Sequence, residues 1–175
     1  SAGTLGADFT VENGIYKIRK IFNRLDWNPS FKAPLAEPGL NVNVGDYILA
    51  VNGIPLNAGV NLYKLLENSV DKQVVLAINA KAELSGSREI TVKPISFGDE
   101  VSLRRMAWVE QNRKKTDSLS NGQIAYVYMP NTGDEGYTYF NRYYFAQMDK
   151  KALLLDERNN GGGSVADYVI DLLSR

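Results

Sequence analysis

Three consecutive glycines, Gly161 to Gly163, separate an apolar run ending in Leu155 from a segment with helical spacing, Val165 to Leu173. Because glycine has no Cβ, such a turn lets another backbone approach closely and leaves its own N–H groups unscreened. Backbone N–H groups near the start of a helix favour anions. The turn therefore predicts an oxyanion hole or an anion cradle. The plainer alternatives are a tight connection and a phosphate loop.

The residue types that are missing from the chain narrow this choice. The dinucleotide fingerprint G-x-G-x-x-G is absent, and no Lys-Ser/Thr pair of a P-loop follows the glycines. The chain has no histidine and no cysteine, which excludes a disulfide framework, a zinc site of the usual ligands and a Ser-His or Cys-His pair made within it. We therefore expect no cofactor and no metal, and we do not expect Ser164 to act as a nucleophile, since no base lies in the chain.

Composition places the chain among globular proteins, with 44% hydrophobic and 23% charged residues. Lys+Arg and Asp+Glu both number 20, so nothing in the charge balance indicates a nucleic-acid or anionic-membrane partner. No apolar run is long enough to span a membrane. The first residues also lack the basic region and apolar core of a signal peptide.

The first half of the sequence reads as short strands with one helix. The alternation of apolar and basic residues over Ile15–Phe22 predicts a half-buried strand, preceded by a turn at Asn13-Gly14. A single helical turn is expected within Ala33–Gly39. Leucine spacing predicts a helix over Asn61–Asn68.

After residues 96–98, where we place the domain boundary, strands and helices alternate. The expected elements are a helix over Gly98–Lys115, a strand over Gln123–Met129, a helix over Gly136–Met148, a strand over Lys151–Asp156 and a helix over Val165–Leu173. Short connections in this order predict parallel strands joined by right-handed crossovers. The uninterrupted apolar residues Ala152–Leu155 predict a strand covered on both faces. Ser164 is expected to cap the last helix.

The segment Gly45-Asp46-Tyr47-Ile48-Leu49-Ala50-Val51-Asn52-Gly53 resembles the signature of PDZ domains. In that family, backbone N–H groups of a glycine-containing loop bind a peptide C-terminal carboxylate, and the peptide adds to a sheet edge. The resemblance implies a groove next to the helix at 61–68. Its peptide-binding residues would be Leu5, Gly6, Ala7, Asp8, Phe9 and Asn61. Asp8 departs from the family pattern because it puts a negative charge where an anion should dock. A merely structural strand entry at Leu5–Phe9 is the alternative.

Three further segments follow the PDZ-like region: Trp108–Arg113, Gly122–Val127 and Asp156–Gly163. This arrangement resembles tricorn-type proteases, relatives of the C-terminal-processing serine peptidases. The resemblance implies that Gly161, Gly162 and Gly163 contribute to an oxyanion hole, with Gly162 as the first choice for the donor. It also implies a nucleophilic serine further toward the C-terminus and a histidine from an earlier domain. Asp156 and Glu157 are expected to be strand-end carboxylates, with a structural salt bridge to Arg158.

We therefore expect an α+β protein. Residues 1–96 would form a PDZ-like, partly open β-barrel with helices, and residues 97–175 an incomplete α/β (crotonase/ClpP-like) peptidase subdomain. The function implied by the resemblance is part of a serine peptidase that hydrolyses peptides or unfolded proteins, with the chain inactive by itself. The implied partners are such substrates and other domains of the parent chain, which the family allows to be homo-oligomeric. The compartment stays open between cytoplasm and cell envelope.

Two alternatives from other classes remain at this point. A non-catalytic PDZ protein would bind peptides and use the second module as a scaffold. A crotonase-like domain would use the same glycine-turn geometry for acyl transfer on thioesters.

Overall fold

The computed structural model describes residues 1–22 and 32–174. Within it the chain divides into two compact units, Ser1–Ala107 and Trp108–Arg175. In the described ranges, none of the helices combines the length and the apolar character that crossing a membrane would require.

The first unit is built on an antiparallel sheet. Its strands are β1 (Ala7–Glu12), β2 (Ile15–Ile21), β3 (Tyr47–Val51), β4 (Ile54–Pro55), β5 (Val74–Asn79) and β6 (Arg88–Val92). The spatial order is β1-β2-β3-β5-β6, with β4 paired to β3. Asn13 and Gly14 both have positive φ, at 52° and 75°, as the tight β1–β2 hairpin requires. The predicted strand over Ile15–Phe22 and its turn are thus confirmed.

The two ends of this sheet meet. Thr4, just before β1, pairs with Ile95, just after β6, through N–H···O bonds of 2.9 and 3.0 Å in the two directions. The sheet therefore curls into a partly open barrel. Its interior is filled by aliphatic side chains, and the most deeply buried are Leu5, Ile18, Leu35, Ile48, Val51, Leu56, Leu62, Leu66, Leu76 and Ile78.

The helical turn expected within Ala33–Gly39 is a 3₁₀ turn at Pro34–Ala36. The helix predicted over residues 61–68 is shorter than expected, because α1 covers only Leu62–Leu65. Asn61 begins it, its side chain accepting from Tyr63 N–H at 2.9 Å. The helix stops because the Ser69 hydroxyl donates to Leu66 O at 2.6 Å, and because Asn68 turns to a φ of 55°, which a right-handed helix does not allow.

Helix α2 (Phe97–Leu119) begins in the first unit and ends in the second. The second unit then contains β7 (Ile124–Tyr128), α3 (Asp134–Phe145), β8 (Ala152–Asp156) and α4 (Ala166–Leu173). Strands β7 and β8 are parallel, with Ile124 opposite Ala152 and Tyr128 opposite Asp156. The predicted parallel pair with a helical crossover is confirmed.

Two local expectations for this unit are wrong. Strand β8 is not covered on both faces: Ala152 is exposed and Leu154 is 44% exposed. Among the described elements β8 makes extensive contact only with its sheet neighbour β7, and not with a helix that would cover this face. Ser164 does not cap α4 either. The residue at the cap position is Val165, without a side-chain hydrogen bond, and Ser164 itself is exposed.

Candidate functional site

The glycine segment Gly161–Gly163 lies at the carboxyl ends of β7 and β8 and continues their parallel pairing. Gly161 N–H donates to Pro130 O at 3.0 Å, and Thr132 N–H donates to Gly162 O at 2.9 Å. Val165 N–H then donates to Thr132 O at 2.7 Å. One side of the segment is therefore fixed by backbone hydrogen bonds, while all three glycines stay exposed.

The three glycine N–H groups differ in availability. Gly161 N–H is used by Pro130, and Gly162 N–H donates to the Asn160 side-chain oxygen at 2.7 Å. Gly163 N–H has no acceptor among residues 1–22 and 32–174. The first choice from sequence, Gly162, would become available only if the Asn160 carboxamide turned away. No sequence signal separated the three glycines, since the difference depends on the rotamer of Asn160.

Backbone conformation explains why the last of these glycines is needed. Gly163 has a φ of 144°, and a Cβ built on it would lie 2.2 Å from both the carbonyl carbon and the oxygen of Thr132. Gly162 has a φ of 82° but open space around it. At Gly161 the nearest atoms to a Cβ are 4.0 Å away. The close approach of two backbones thus excludes any side chain at Gly163.

A buried carboxylate ends the strand that leads to the glycine segment. Asp156 ends β8 and is 6% exposed. Arg158 donates to it from Nε at 2.9 Å and from Nη2 at 2.5 Å, which confirms the expected ion pair. The Tyr126 hydroxyl donates to the same carboxylate at 2.6 Å. The hydrogen bonds from Arg158 are the main reason why the pKa of Asp156 is lowered to about 2; burial opposes them, and the weaker effect of the Tyr126 hydrogen bond adds to the lowering.

The two side chains that donate to this carboxylate, Tyr126 and Arg158, are themselves held by residues of α2. Burial, followed by the hydrogen bond to Asp156, raises the pKa of Tyr126 to about 12, and Asn112 donates to the same phenol oxygen at 3.2 Å. The Arg158 guanidinium lies 4.8 Å from the centre of the Trp108 ring. Sequence analysis missed Tyr126, Trp108 and Asn112 in this role. The available signal was the spacing of four between Trp108 and Asn112, which places both on one face of a helix.

The turn that faces the glycines is held by Asn131. Its side-chain oxygen accepts from Gly133 N–H at 3.0 Å and from Gly136 N–H at 2.9 Å. A Cβ at Gly136 would lie 1.6 Å from Asn131 O. This side chain satisfies two donors at the start of α3, which begins right beside Gly163.

The loop predicted to bind peptides, Leu5–Phe9 in the first unit, is largely buried. Leu5 and Ala7 are each 1% exposed, Gly6 is buried, and Asp8 and Phe9 are half-buried. Gly6 has a φ of 65°, and a Cβ there would lie 2.8 Å from the Cβ of Ala33. The glycine is thus required both for its conformation and for the packing of the loop.

The Gly6 N–H, the central donor of this loop, has an acceptor within the chain. It donates to Glu100 Oε2 at 3.1 Å, and Glu100 is 4% exposed. Arg104 forms ion pairs with Glu100 at 2.7 Å and with Asp8 at 2.6 Å. Sequence analysis missed Glu100 and Arg104, because they lie 94 and 96 residues from their partners.

Asn61, the remaining predicted peptide-binding residue, is exposed and caps α1. No group of three or more His, Cys, Asp or Glu side chains suited to a metal ion is found in the described ranges.

Comparisons of the sequence and of the fold with known proteins identify related proteins. The sequence profile of a family described as "Tricorn protease PDZ domain" matches residues 3–96. The tricorn protease of Thermoplasma volcanium is 31% identical over 98% of this chain. A tricorn protease homolog of Saccharolobus solfataricus is 33% identical over 99% of it. The crystal structure of a tricorn protease superposes with a TM-score of 0.86 over 97% of the chain, at 26% identity.

The chain spans 16% of the length of each of these three proteins. The agreement confirms the expected fold class, a PDZ-like antiparallel sheet followed by an α/β segment. It also favours a protease-associated PDZ domain over a free-standing peptide-binding scaffold. The chain belongs to the tricorn protease PDZ domain family.

Proposed function

We propose that this chain is part of a serine-type peptidase that hydrolyses peptides or unfolded proteins. In this proposal residues 1–96 form the PDZ domain, which guides substrate, and residues 97–175 form the first part of the catalytic domain. The observation that carries the proposal is the Gly163 N–H, which has no acceptor within the described residues and is held at the carboxyl ends of two parallel strands by backbone hydrogen bonds of its neighbours. The similarity to proteins named tricorn protease supports it.

The chemistry of acyl transfer explains why such an N–H matters. Charge develops on the substrate carbonyl oxygen in the tetrahedral intermediate, and a donor that is already aimed stabilises it without reorganisation. One such donor contributes about 3–4 kcal/mol to transition-state stabilisation. Gly163 N–H is available for this role as the structure stands. Gly162 N–H would join it if Asn160 released it, and Gly161 would act by holding the segment against Pro130.

The rest of the catalytic machinery has to come from elsewhere in the parent protein. The chain contains no histidine, so Ser164 has no base of that type to activate it. We propose that a nucleophilic serine and a histidine are supplied by other domains or by another copy of the parent protein. The 175-residue chain alone is then inactive.

The test is labelling with a fluorophosphonate, which reacts with activated serines. The full-length parent protein and the 175-residue chain are treated in parallel, and the labelled peptide is mapped by mass spectrometry. We expect a label on a serine outside this chain, and none on the chain alone. Peptide hydrolysis by the labelled protein should be lost in proportion to labelling.

The oxyanion role is tested by replacing the amide preceding Gly163 by an ester, which removes one N–H and no side chain. In the full-length protein we expect kcat to fall by about 10²–10³, whereas the same replacement at Gly161, whose N–H faces Pro130, should cost far less. Absence of any label together with absence of peptide hydrolysis would contradict the peptidase function. Turnover of a coenzyme A thioester would instead favour the crotonase-like alternative.

A further inference from the structure

A carboxylate of the chain itself occupies the donor that a PDZ loop offers to its ligand. Glu100, in the first turns of α2, accepts from Gly6 N–H at 3.1 Å. Its other oxygen accepts from Arg104 Nε at 3.0 Å and from Nη2 at 2.7 Å. Both oxygens of a side chain that is only 4% exposed therefore have partners, as a buried charge requires.

The geometry reproduces a known mode of recognition. Backbone N–H groups of a glycine-containing loop capture the C-terminal carboxylate of a peptide, and the peptide backbone adds to the neighbouring sheet edge. Here Gly6 precedes β1, and β1 is the end strand of the sheet, paired only with β2 among the described strands. The Thr4–Ile95 bridge that joins the two ends of the sheet lies before β1. No described strand pairs with the outer edge of β1 itself, so that edge is open to a peptide, while the donor at its start is already engaged.

The ion pair of Arg104 with Asp8 strengthens this internal contact. Arg104 Nη1 donates to Asp8 Oδ1 at 2.6 Å, and the guanidinium lies 4.4 Å from the centre of the Phe22 ring. Burial by itself would lower the pKa of Arg104, but hydrogen bonds to Glu100 and Asp8 raise it overall. The charge of Asp8, which departs from the PDZ pattern, is therefore balanced by the residue that also holds Glu100.

Tyr63 lies on α1, the helix that the resemblance to PDZ domains places beside the peptide, and the same charges act on it. Tyr63, on α1, has its pKa raised first by burial and next by the negative charge of Glu100. Asp8 acts on it in the same direction, and Arg104 in the opposite one. Glu100 and Arg104 therefore act electrostatically on a side chain of α1 as well as contacting Gly6 and Asp8.

We propose that Glu100 is an internal ligand that closes this PDZ domain to peptide C-termini, and that free-carboxylate peptides bind once Glu100 leaves Gly6. The proposal rests on the peptide-binding role of the loop in the proposed function, but not on the peptidase activity. Glu100 and Arg104 lie outside residues 3–96, the part of the chain that the family profile matches. The closing group is thus supplied by the helix that follows the matched region.

Peptide binding by the 175-residue chain provides the test. The probe is a fluorescein-labelled pool of nonapeptides with mixed sequence and an apolar last residue, made once with a free carboxylate and once amidated. Fluorescence anisotropy is measured for the wild type, Glu100→Ala, Glu100→Gln and Glu89→Ala. Glu89 is exposed on β6, at the far end of the sheet order from β1, so its variant controls for the loss of one charge.

We expect Glu100→Ala to bind the free-carboxylate pool at least about tenfold more tightly than the wild type, because an internal competitor acts at a high effective concentration. The amidated pool should show no such gain, and Glu89→Ala should behave as the wild type. Glu100→Gln keeps the size of the side chain and removes its charge, so it should show a smaller gain. It also serves as the test variant if Glu100→Ala does not fold.

A spectroscopic readout assigns the binding to the loop. In ¹⁵N–¹H spectra the Gly6 amide signal should move when the free-carboxylate pool is added to Glu100→Ala, and should stay in place for the wild type. Equal affinity of the wild type and Glu100→Ala for the free-carboxylate pool would overturn the closure and leave the peptide-binding role intact. No binding by any variant would overturn both, while the outcome of fluorophosphonate labelling would be unaffected.

Discussion

Adding one methyl group at each glycine of the segment 161–163 should give three clearly different results. At Gly163 a Cβ would lie 2.2 Å from the backbone of Thr132 and 2.4 Å from Gly133 N, with φ at 144°. Backbone atoms cannot move aside as a flexible side chain can. Overpacking costs about 1–3 kcal/mol and the strained backbone about 1–3 kcal/mol more. Gly163→Ala should therefore lower the free energy of unfolding of the second unit by at least about 3 kcal/mol.

The other two glycines provide matched controls for the same chemical change. Gly162→Ala meets open space but has to adopt a φ of 82°, which should cost about 1–2 kcal/mol. Gly161→Ala has no atom closer than 4.0 Å and no left-handed φ. It should stabilise the protein by about 0.4–1 kcal/mol, because alanine restricts the unfolded chain.

The assay has to report on the second unit, because the three glycines lie in it. Hydrogen exchange of the β7 and β8 amides, followed at increasing urea concentration, gives the free energy of opening of that pair. The expected order of stability is Gly161→Ala, wild type, Gly162→Ala and then Gly163→Ala. If Gly163→Ala were as stable as Gly161→Ala to within about 0.5 kcal/mol, the reasoning from backbone approach would be refuted.

Three further predictions concern the side chains around the glycine segment. The pKa of Asp156 is about 2 in the folded chain, against a usual value of 3.8. Its stabilising contribution is therefore complete above pH 4 and is lost as the pH falls toward 2. The wild type should lose at most about 2 kcal/mol more than Asp156→Asn over this range, as measured by urea unfolding at each pH. Tyr126→Phe removes a hydrogen bond to the buried carboxylate and should cost about 1.5–3 kcal/mol at pH 7. Asn131→Ala leaves two N–H groups at the start of α3 without their acceptor and should cost about 1–2 kcal/mol in thermal unfolding.

Each of these has an outcome that contradicts it. Parallel pH profiles for the wild type and Asp156→Asn would show that the ion pair contributes nothing. A Tyr126→Phe variant as stable as the wild type would mean that Arg158 alone satisfies the carboxylate. An Asn131→Ala variant that unfolds at the wild-type temperature would show that water replaces the carboxamide.

Elements set by local chemistry could be predicted from the sequence. The Asn13-Gly14 hairpin, the short turn at Pro34–Ala36 and the parallel β7–β8 pair all follow from turn residues, periodicity and connection length. The Asp156–Arg158 ion pair joins residues two positions apart, so it could also be predicted from the sequence.

Contacts that hydrophobic periodicity and turn residues do not encode could not be predicted in this way, whether their partners are near or distant in the sequence. The hydrogen bond from the Ser69 hydroxyl to Leu66 O helps to end α1. The spacing of the leucines in this helix does not predict that bond. The acceptor of Gly6 N–H, Glu100, lies 94 residues away in the sequence. Its position in the first turn of α2 is already explained by the helix dipole, so nothing in the sequence indicated another role. The exposed face of β8 reflects the lack of an extensive contact with a helix among the described elements, and the apolar residues of the strand itself do not indicate this.

The start of α2 has a consequence for any attempt to excise the PDZ domain. Leu103 is 2% exposed and packs in one cluster with Phe22 and Ala33. A shortened polypeptide ending at residue 96, where the family match stops, would uncover that cluster and remove the acceptor of Gly6 N–H together with the cation beside Asp8. On the peptide-binding role that we propose for the loop before β1, such a polypeptide would present this loop without Glu100 and on a weakened domain, so its peptide affinity would not represent the longer chain. An excised domain faithful to the parent protein has to retain at least residues 1–107.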